Sequence, residues 1–413
     1  MLASEVFLQQ FRPLDIVIRR GVYLPNWELT KPGYNDGGIG QRFYFHGPAP
    51  SIGQGVDTIR SFLNALSFAS TADQTNAVAA AITVVMRNHF LGTKPFFPIT
   101  ANKSHAGKGT VASFIAGCNK QVNVSYETTD WAFQKSIVAL FNAEPNIDVL
   151  NIDNVRLDKD GEVIRSAFLE RLIHEQEPVL YSSGTGKPRR FPAHFVVVAT
   201  SNKGLFSDDL MNRGVLIRLE ARGNIHARVS PIGDPKNEFL PKNRERIEAE
   251  LHGMIRRWID AGSPRDPSAK HAFTEWASIV GGILKVNGFA DFLRNRLEQH
   301  TEVSPIRRAL GSIAADCCGE WKPARYWASV IVKAGVTKEL IGPSDARTPE
   351  GLTRGTGIVL SAHIGEHLVV TTEDERITFV LRKERLRFEE GKPEIRYCFE
   401  VIDRVALSDE KCD

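Results

Sequence analysis

The apolar residues of this chain change their spacing several times along its length. From residue 93 to residue 222, short runs rich in Val and Ile alternate with stretches of helical spacing. This alternation is typical of a parallel sheet with helices on both faces, because a strand buried on both sides is apolar throughout. We therefore predict an α/β core in residues 93–222.

The segment before this core has a different pattern. Residues 1–92 mix short strand-like pieces, Leu14 to Ile18 and Arg42 to Phe45, with two helical patterns. In residues 56–92 apolar side chains recur every three or four positions, and Ser70 to Asp73 offers a helix start between the two patterns. We predict an N-terminal region that ends in a helical collar.

After the core, the pattern is first helical and then mixed. Residues 223–302 carry an apolar stripe that we interpret as the packing face of a helical lid, formed by Ile247, Leu251, Met254, Ile255 and Trp258. Residues 303–413 begin with two helical stretches, and strand-like runs follow at Gly357–Ser361, Leu368–Thr372, Ile377–Leu381 and Arg396–Val401. Helices at Pro305–Ala315 and Pro323–Lys333 followed by a small sheet predict a winged-helix-like C-terminal domain.

A small polar loop joins the first strand pattern of the core to a helix pattern. The apolar run that begins at Phe97 leads into this loop, which ends in Gly107-Lys108-Gly109-Thr110 before the helical run Val111–Ala116. Backbone N–H groups, a helix N-terminus and a lysine ammonium in this arrangement are typical of a phosphate-binding loop. A turn of this composition also occurs as an ordinary surface loop.

Polar residues end two later strand patterns of the core. Asp153 ends the apolar strand that begins at Asn146, where it could present a carboxylate to the metal of a nucleotide or simply cap the next turn. Asn202 ends the strand that begins at Phe195 and could orient an attacking water. Arg213 follows a short helical pattern and is placed to leave its own subunit and reach the γ-phosphate of a neighbour's nucleotide.

The order of these motifs resembles that of the AAA+ ATPases. More narrowly, the chain is similar to the ATPase and helicase domains of primase-helicase and replication proteins from bacteriophages, plasmids and chromosomal islands, which are related to MCM-type helicases. The resemblance covers roughly residues 12–300. It includes the helix before the loop, Asn76–Arg87, the lid segment Asn243–Pro264, and the segment Phe273–Trp276 after it.

This resemblance implies an ATP- and Mg²⁺-dependent ring, a homo-hexamer with nucleotide at the subunit boundaries. Its candidate catalytic residues are Lys108, Asp153, Asn202 and Arg213. Asp153 and Thr110 are the candidate metal ligands, with Thr110 also placed to touch the α-phosphate. The candidate nucleotide-binding residues are His105, Ala106, Gly107, Lys108, Gly109, Thr110 and the lid residue Arg244.

The chain departs from the family pattern at several positions. Asn102 stands where the loop usually begins with Gly, and Gly109 replaces the usual Ser or Thr whose hydroxyl binds Mg²⁺. Asn154 follows Asp153 where many AAA+ proteins carry a catalytic Glu, so the general base stays open, with Glu127 and Asp130 as candidates. Family members often carry an upstream primase domain, and two alternatives stay open here: the domain is missing, or a separate primase supplies it as a partner.

Two basic clusters are candidates for contact with a nucleic acid. The runs Val179–Tyr181 and Phe191–Val197 could pair as a hairpin around a basic tip. In related helicases a hairpin at this place projects into the central channel, which implies that Lys187, Arg189 and Arg190 contact the phosphates of single-stranded DNA. A solvated basic loop is the alternative. The cluster Arg382–Arg387 contains the acidic residue Glu384 and favours a solvated strand edge.

Composition narrows the class of protein. With 413 residues, 42% apolar and 24% charged, the chain is typical of a multidomain globular protein. None of the five cysteines forms a C-x-x-C spacing, which argues against a zinc site or a disulfide framework. The sequence shows neither a signal peptide nor an apolar run of membrane-spanning length, so we expect a cytoplasmic protein.

These patterns favour an ATP-dependent DNA helicase or translocase that replicates a mobile genetic element. Because the net charge is only +3, any contact with DNA must come from local clusters. A small-molecule phosphotransferase is one alternative, suggested by Gly-Lys-Gly-Thr. An ATP-binding DNA-binding or loader protein with little hydrolysis is another, suggested by Gly109 and Asn154.

Overall fold

A computed structural model gives the fold of this chain. It describes residues 12–38, 40–90, 92, 94–144, 146–155, 163–181, 188–202, 205–221, 230–295, 305–372, 375–386 and 393–406. The chain divides into two compact units. The larger comprises Met1–Asp158, Arg165–Gly204 and Asn212–Asn295, and the smaller comprises Lys159–Ile164, Leu205–Met211 and Arg296–Asp413.

The larger unit is built on a five-stranded parallel sheet. Its strands along the chain are β4 (Phe97–Ala101), β5 (Gln121–Ser125), β6 (Val149–Val155), β10 (Val196–Asn202) and β12 (Ile217–Leu219). They lie in the order β12-β4-β10-β6-β5, and every pairing is parallel. The predicted α/β core is therefore confirmed.

Helices connect and flank these strands. They are α1 (Asp57–Asn64), α2 (Thr71–Val85), α3 (Lys108–Ala116), α4 (Asp130–Ala143), α5 (Ala167–His174), α7 (Leu240–Asp260) and α8 (Thr274–Val286). The short helix α6 (Asp208–Asn212) belongs mostly to the smaller unit. A π-helical turn, Pro235–Phe239, leads directly into α7. Ser70 caps α2 by accepting a hydrogen bond from the N–H of Asp73, which confirms the predicted helix start.

The apolar stripe predicted for the lid lies on α7. Ile247, Leu251, Met254, Ile255 and Trp258 are all buried, so the stripe packs into the core. Next along the chain, α8 contacts α2, and the Trp276 indole N–H donates to the Thr83 hydroxyl at 2.9 Å. Among the described residues, no helix has the length and apolar character that crossing a membrane requires.

Short strands complete the two units. A mixed sheet near the N-terminus has the order β1-β3-β2 and is formed by β1 (Ile16–Ile18), β2 (Gly33–Asp36) and β3 (Arg42–Phe45). A hairpin pairs β8 (Val179–Tyr181) with β9 (Pro188–Arg190). In the smaller unit β7 (Val163–Ile164) pairs with β11 (Leu205–Phe206).

The rest of the smaller unit contains helices followed by an antiparallel sheet, as predicted. The helices are α9 (Pro305–Cys317), α10 (Ala324–Lys333), α11 (Thr337–Leu340) and α12 (Pro349–Ala362), with a 3₁₀ turn at Asp345–Arg347. The sheet has the order β13-β16-β15-β14. Its strands are β13 (Lys322–Pro323), β14 (His367–Thr371), β15 (Glu375–Leu386) and β16 (Glu394–Ala406).

The predicted strand Gly357–Ser361 is wrong, because these residues lie inside α12. Thr348 caps this helix through the N–H of Gly351, and Pro349 occupies its first position, where proline is well tolerated. Tertiary packing decides the conformation here, since Leu360 is fully buried in the core of the smaller unit.

Two buried histidines make the larger unit sensitive to acid. Burial lowers the pKa of His252 to about 4, and both of its ring nitrogens lack a hydrogen-bond partner in the described part of the chain. Burial and the nearby Lys94 lower the pKa of His194 to about 3. An unfolded histidine binds its proton near pH 6.5, so the stability is fully present above that pH and is lost as the pH falls toward 4.

We expect the free energy of unfolding to fall by about 2 kcal/mol per histidine between pH 7 and pH 5. His252→Phe should remove one of these two contributions, whereas His46→Gln, at an exposed site, should change nothing. Urea denaturation at both pH values measures the difference. An equal pH-dependent loss in wild type and His252→Phe would contradict this account.

Candidate functional site

The predicted phosphate loop lies between β4 and α3. Gly107 precedes the first residue of α3 with a φ of 101°, and His105 has a φ of 63°. A left-handed residue at Gly107 lets the chain turn directly into the helix, and a Cβ there would be strained. Gly107, the N-cap residue, has no side chain with which to cap the first N–H groups of this helix, and such a helix N-terminus suits an anion.

The departure at Asn102 has a structural explanation. Its side-chain amide donates to the carbonyl of Ala221 at 3.3 Å, and its side-chain oxygen accepts from the N–H of the same residue at 2.9 Å. Its own backbone N–H donates a hydrogen bond to the carbonyl of Leu219. Asn102 therefore fastens the start of the loop to the chain just after β12, which a glycine could not do.

The predicted polar residues Asp153 and Asn202 lie at one edge of the sheet, although β6 continues past Asp153 to Val155. Asp153 on β6 pairs in register with Ser125 on β5, and Asn202 on β10 pairs with Ala101, where the loop begins. Because the strands are parallel, their carboxyl ends share this edge, where ligands bind in open α/β sheets. The sequence-predicted loop, Asp153 and Asn202 are thus brought together.

Thr200 is a site residue that the sequence analysis missed. It is 2% exposed, and its hydroxyl donates to the Asp153 carboxylate at 2.7 Å. Asp153 itself is exposed. This bond fixes an exposed carboxylate beside the loop, and such a carboxylate could hold Mg²⁺ together with nucleotide phosphates and water. Among the described residues, no cluster of three His, Cys, Asp or Glu side chains offers a protein-only metal site.

The two candidates for the general base differ in their surroundings. Asp130 accepts hydrogen bonds from the Ser166 hydroxyl at 2.5 Å and from the N–H of Phe168 at 3.2 Å, so its carboxylate joins α4 to the start of α5. Glu127 is half-buried on the connection between β5 and α4. Among the described contacts, the Asp130 carboxylate forms hydrogen bonds that join two helices, whereas none involves the Glu127 carboxylate.

Arg213 lies far from the loop of its own chain. Its carbonyl accepts from the N–H of Phe96, and Gly214 forms a bridge with Phe96, the residue just before β4. Phe96 is at the amino end of β4, and the loop is at the carboxyl end. The Arg213 guanidinium forms an ion pair with Glu170 on α5 at 3.6 Å, and both side chains are partly exposed.

Two cationic residues come from the lid. Arg244 is exposed on α7. Lys236, in the π-helical turn, lies beside the loop, because a Cβ built on Gly109 would meet its Nζ at 3.7 Å. The sequence analysis gave Lys236 no role. The sequence motif identifies the lysine of a phosphate loop, whereas only the folded structure identifies a second lysine that comes from a distant segment.

The predicted basic hairpin exists, but its second strand is the basic run itself. Val179 pairs with Arg190 and Tyr181 with Pro188, whereas we predicted Phe191–Val197 as the partner. Residues 196 and 197 instead belong to β10 of the main sheet. Arg190 is exposed and lies 3.5 Å from Glu177. Arg189 lies in β9, and Lys187 is outside the described residues.

A cavity of about 300 Å³ lies away from the loop. Leu14, Ile16, Phe141, Phe191 and Phe195 supply much of its apolar wall, and Arg190 is the predicted site residue within its lining. It therefore does not compete with the sheet edge as a nucleotide site.

No protein-family model matches this sequence, and no curated protein matches it. Among solved structures, the apo C-terminal region of NrS-1 is similar at 14% identity over 96% of this chain and 88% of that chain, with a TM-score of 0.42. The X-ray structure of JCV helicase is similar at 13% identity over 60% of this chain and 63% of that chain, with a TM-score of 0.30. These scores describe a partial similarity in chain path to an NrS-1 region and a helicase, and the α/β fold class rests on the strand order described above.

Proposed function

We propose that this protein is an ATP-driven DNA helicase or translocase that works as a ring, a homo-hexamer, in the replication of a mobile genetic element. The observation that carries the proposal is the shared sheet edge. There the N-terminus of α3, the loop before it, the Thr200-held carboxylate of Asp153 and the strand end at Asn202 lie together. These groups suit a nucleoside triphosphate and its metal.

The loop residues would bind the phosphates. These are His105, Ala106, Gly107, Lys108, Gly109 and Thr110. Asp153, assisted by Thr110, would hold Mg²⁺, which neutralises negative charge on the phosphates when bound. Asn202 would orient the attacking water, and Arg244 would contact the nucleotide from the lid. Catalysis of phosphoryl transfer then depends mainly on positioning and charge stabilisation.

The position of Arg213 supports assembly into a ring. Ala101 lies five residues after Phe96 along β4, which corresponds to roughly 17 Å of strand. An arginine side chain cannot span that distance to the loop of its own chain. Arg213 is partly exposed, so the γ-phosphate it serves would belong to a neighbouring subunit.

The hairpin is the proposed contact with DNA. Arg190 is exposed where it pairs with Val179, and Tyr181, which pairs with Pro188 at the other end of the described hairpin, is 54% exposed. Arginine side chains bind backbone phosphates without sequence preference, and an exposed aromatic ring offers a stacking surface for a base. Lys187, Arg189 and Arg190 are the proposed phosphate contacts. A separate primase would be a partner in replication.

The test is ATP hydrolysis by the purified protein at low salt, with and without single-stranded DNA. Stimulation by DNA that declines steeply as salt is added would support a nucleic-acid motor. Turnover that ignores DNA and requires a phosphate acceptor would favour a small-molecule phosphotransferase. Nucleotide binding without turnover would favour a DNA-binding or loader protein.

A further inference from the structure

The most informative feature outside the predicted motifs is the lysine beside Gly109. Gly109 is the second residue of α3 and is exposed. A Cβ at this position would lie 3.7 Å from the Lys236 Nζ, which is ordinary contact distance. The Ser or Thr side chain of a usual phosphate loop would point into this space. Here an ammonium lies beside the place where the metal-binding hydroxyl would otherwise be.

Local contacts hold the segment that carries Lys236. Asp234 accepts hydrogen bonds from the N–H groups of Lys236 at 2.9 Å and of Asn237 at 3.0 Å, and together with the Asn237 side chain these bonds hold the pKa of Asp234 below its usual value. The segment is a π-helical turn, an uncommon conformation that is frequent at functional sites.

Aromatic stacking fixes this turn against α3. The ring of Phe62 stacks on Phe114 of α3 at 4.5 Å and on Phe239, the last residue of the turn, at 6.3 Å. Phe62 and Phe114 are fully buried. The proximity of Lys236 to Gly109 therefore follows from the packing of the turn on α3, although the Lys236 side chain itself is exposed.

We propose that Lys236 is a second phosphate-binding lysine of the nucleotide site. This inference rests on the proposed function and adds to it. In a usual loop, the hydroxyl after the lysine helps to hold a divalent cation against the phosphates. Gly109 removes that ligand and leaves room for Lys236, whose ammonium supplies positive charge to the same phosphates directly. Nucleotide binding, as distinct from hydrolysis, then depends only weakly on divalent cations.

The experiment measures equilibrium binding of a fluorescent, non-hydrolysable ATP analogue in Mg²⁺ and in EDTA. Wild type should lose less than about tenfold in affinity when EDTA replaces Mg²⁺. Lys236→Ala should bind about 10- to 100-fold more weakly than wild type in EDTA, because a charge-assisted hydrogen bond is lost. Lys242→Ala, an exposed lysine on the adjoining helix α7, is the matched control and should bind like wild type.

The outcomes separate this inference from the proposed function. Equal affinities of wild type and Lys236→Ala in EDTA would overturn the role of Lys236. If Lys108→Ala nevertheless lost binding, that loss would still support the proposed nucleotide site at the loop. Wild type that binds no analogue in either buffer would overturn both. Melting temperatures of the unliganded variants identify any loss caused by misfolding, and Lys236→Arg, which keeps the charge, should then restore most of the affinity.

Discussion

Lys108→Ala reduces the kcat/KM for ATP hydrolysis by at least about 1,000-fold while leaving the fold intact. This is the expected result of steady-state kinetics on the purified variant, and it combines two losses. Removing a charged hydrogen-bond donor to the phosphates weakens binding by about 10- to 100-fold. Removing a preorganised positive group from the developing charge of the transition state costs a further factor of about 100 to 1,000.

The structure explains why the fold should tolerate this change. Lys108 is the first residue of α3, where the helix has just begun and its side chain is only half-buried. Alanine is a good helix former, so the helix start should persist. Lys103→Ala is the matched control, since this exposed lysine belongs to the same loop and is not a predicted phosphate ligand. Equal turnover in Lys108→Ala and Lys103→Ala would contradict the proposed role of Lys108.

The sequence predicted the site best where its signal is local. A continuous apolar run followed by a polar residue marks a strand end, and for this reason β4, β6 and β10 and the strand end at Asn202 could be placed without a structure. The end of β6 was placed two residues early, at Asp153 instead of Val155. Parallel pairing then brings Asp153 and Asn202 to one edge, as observed. The flanking residues Gly107 and Gly109 were enough to identify the loop lysine, Lys108.

The residues that the sequence did not reveal depend on contacts between distant segments. Thr200 was part of a recognised strand tip, but its bond to Asp153 depends on the register of β10 and β6, which has an irregularity between Ala199 and Ser201. Lys236 lies beside Gly109 in the folded chain, where Phe62 stacks on both segments. No periodic pattern in the sequence indicates either contact.

The errors have a similar origin in packing. The apolar run Ile358–Leu360 is typical of a strand, yet it lies inside the capped helix α12, where Leu360 is buried in the core. In the hairpin, the apolar residues from Val196 onward belong to β10 of the main sheet, so the basic residues of β9 pair with β8 instead. Burial against other segments decided both cases.

Arg213→Ala should spare nucleotide binding but lower the turnover of the assembled protein by about 1,000- to 100,000-fold, the range for an arginine supplied in trans to a γ-phosphate. Because Arg213 lies at the amino end of β4 and the loop at the other end, the variant's own binding groups stay intact. The measurement is kcat at saturating ATP together with the affinity for an ATP analogue. Near-normal kcat would contradict a trans role.

Two further measurements separate a trans arginine from a structural ion pair. Glu170→Gln removes the partner of Arg213 but keeps the arginine, so its turnover should stay within a few-fold of wild type, since a partly exposed pair contributes little to stability. Mixing Lys108→Ala with Arg213→Ala should restore part of the activity, because some boundaries then combine an intact Lys108 with a neighbour's Arg213. If the mixture stays as inactive as its components although both assemble together, the arginine and the lysine do not serve one site across a boundary.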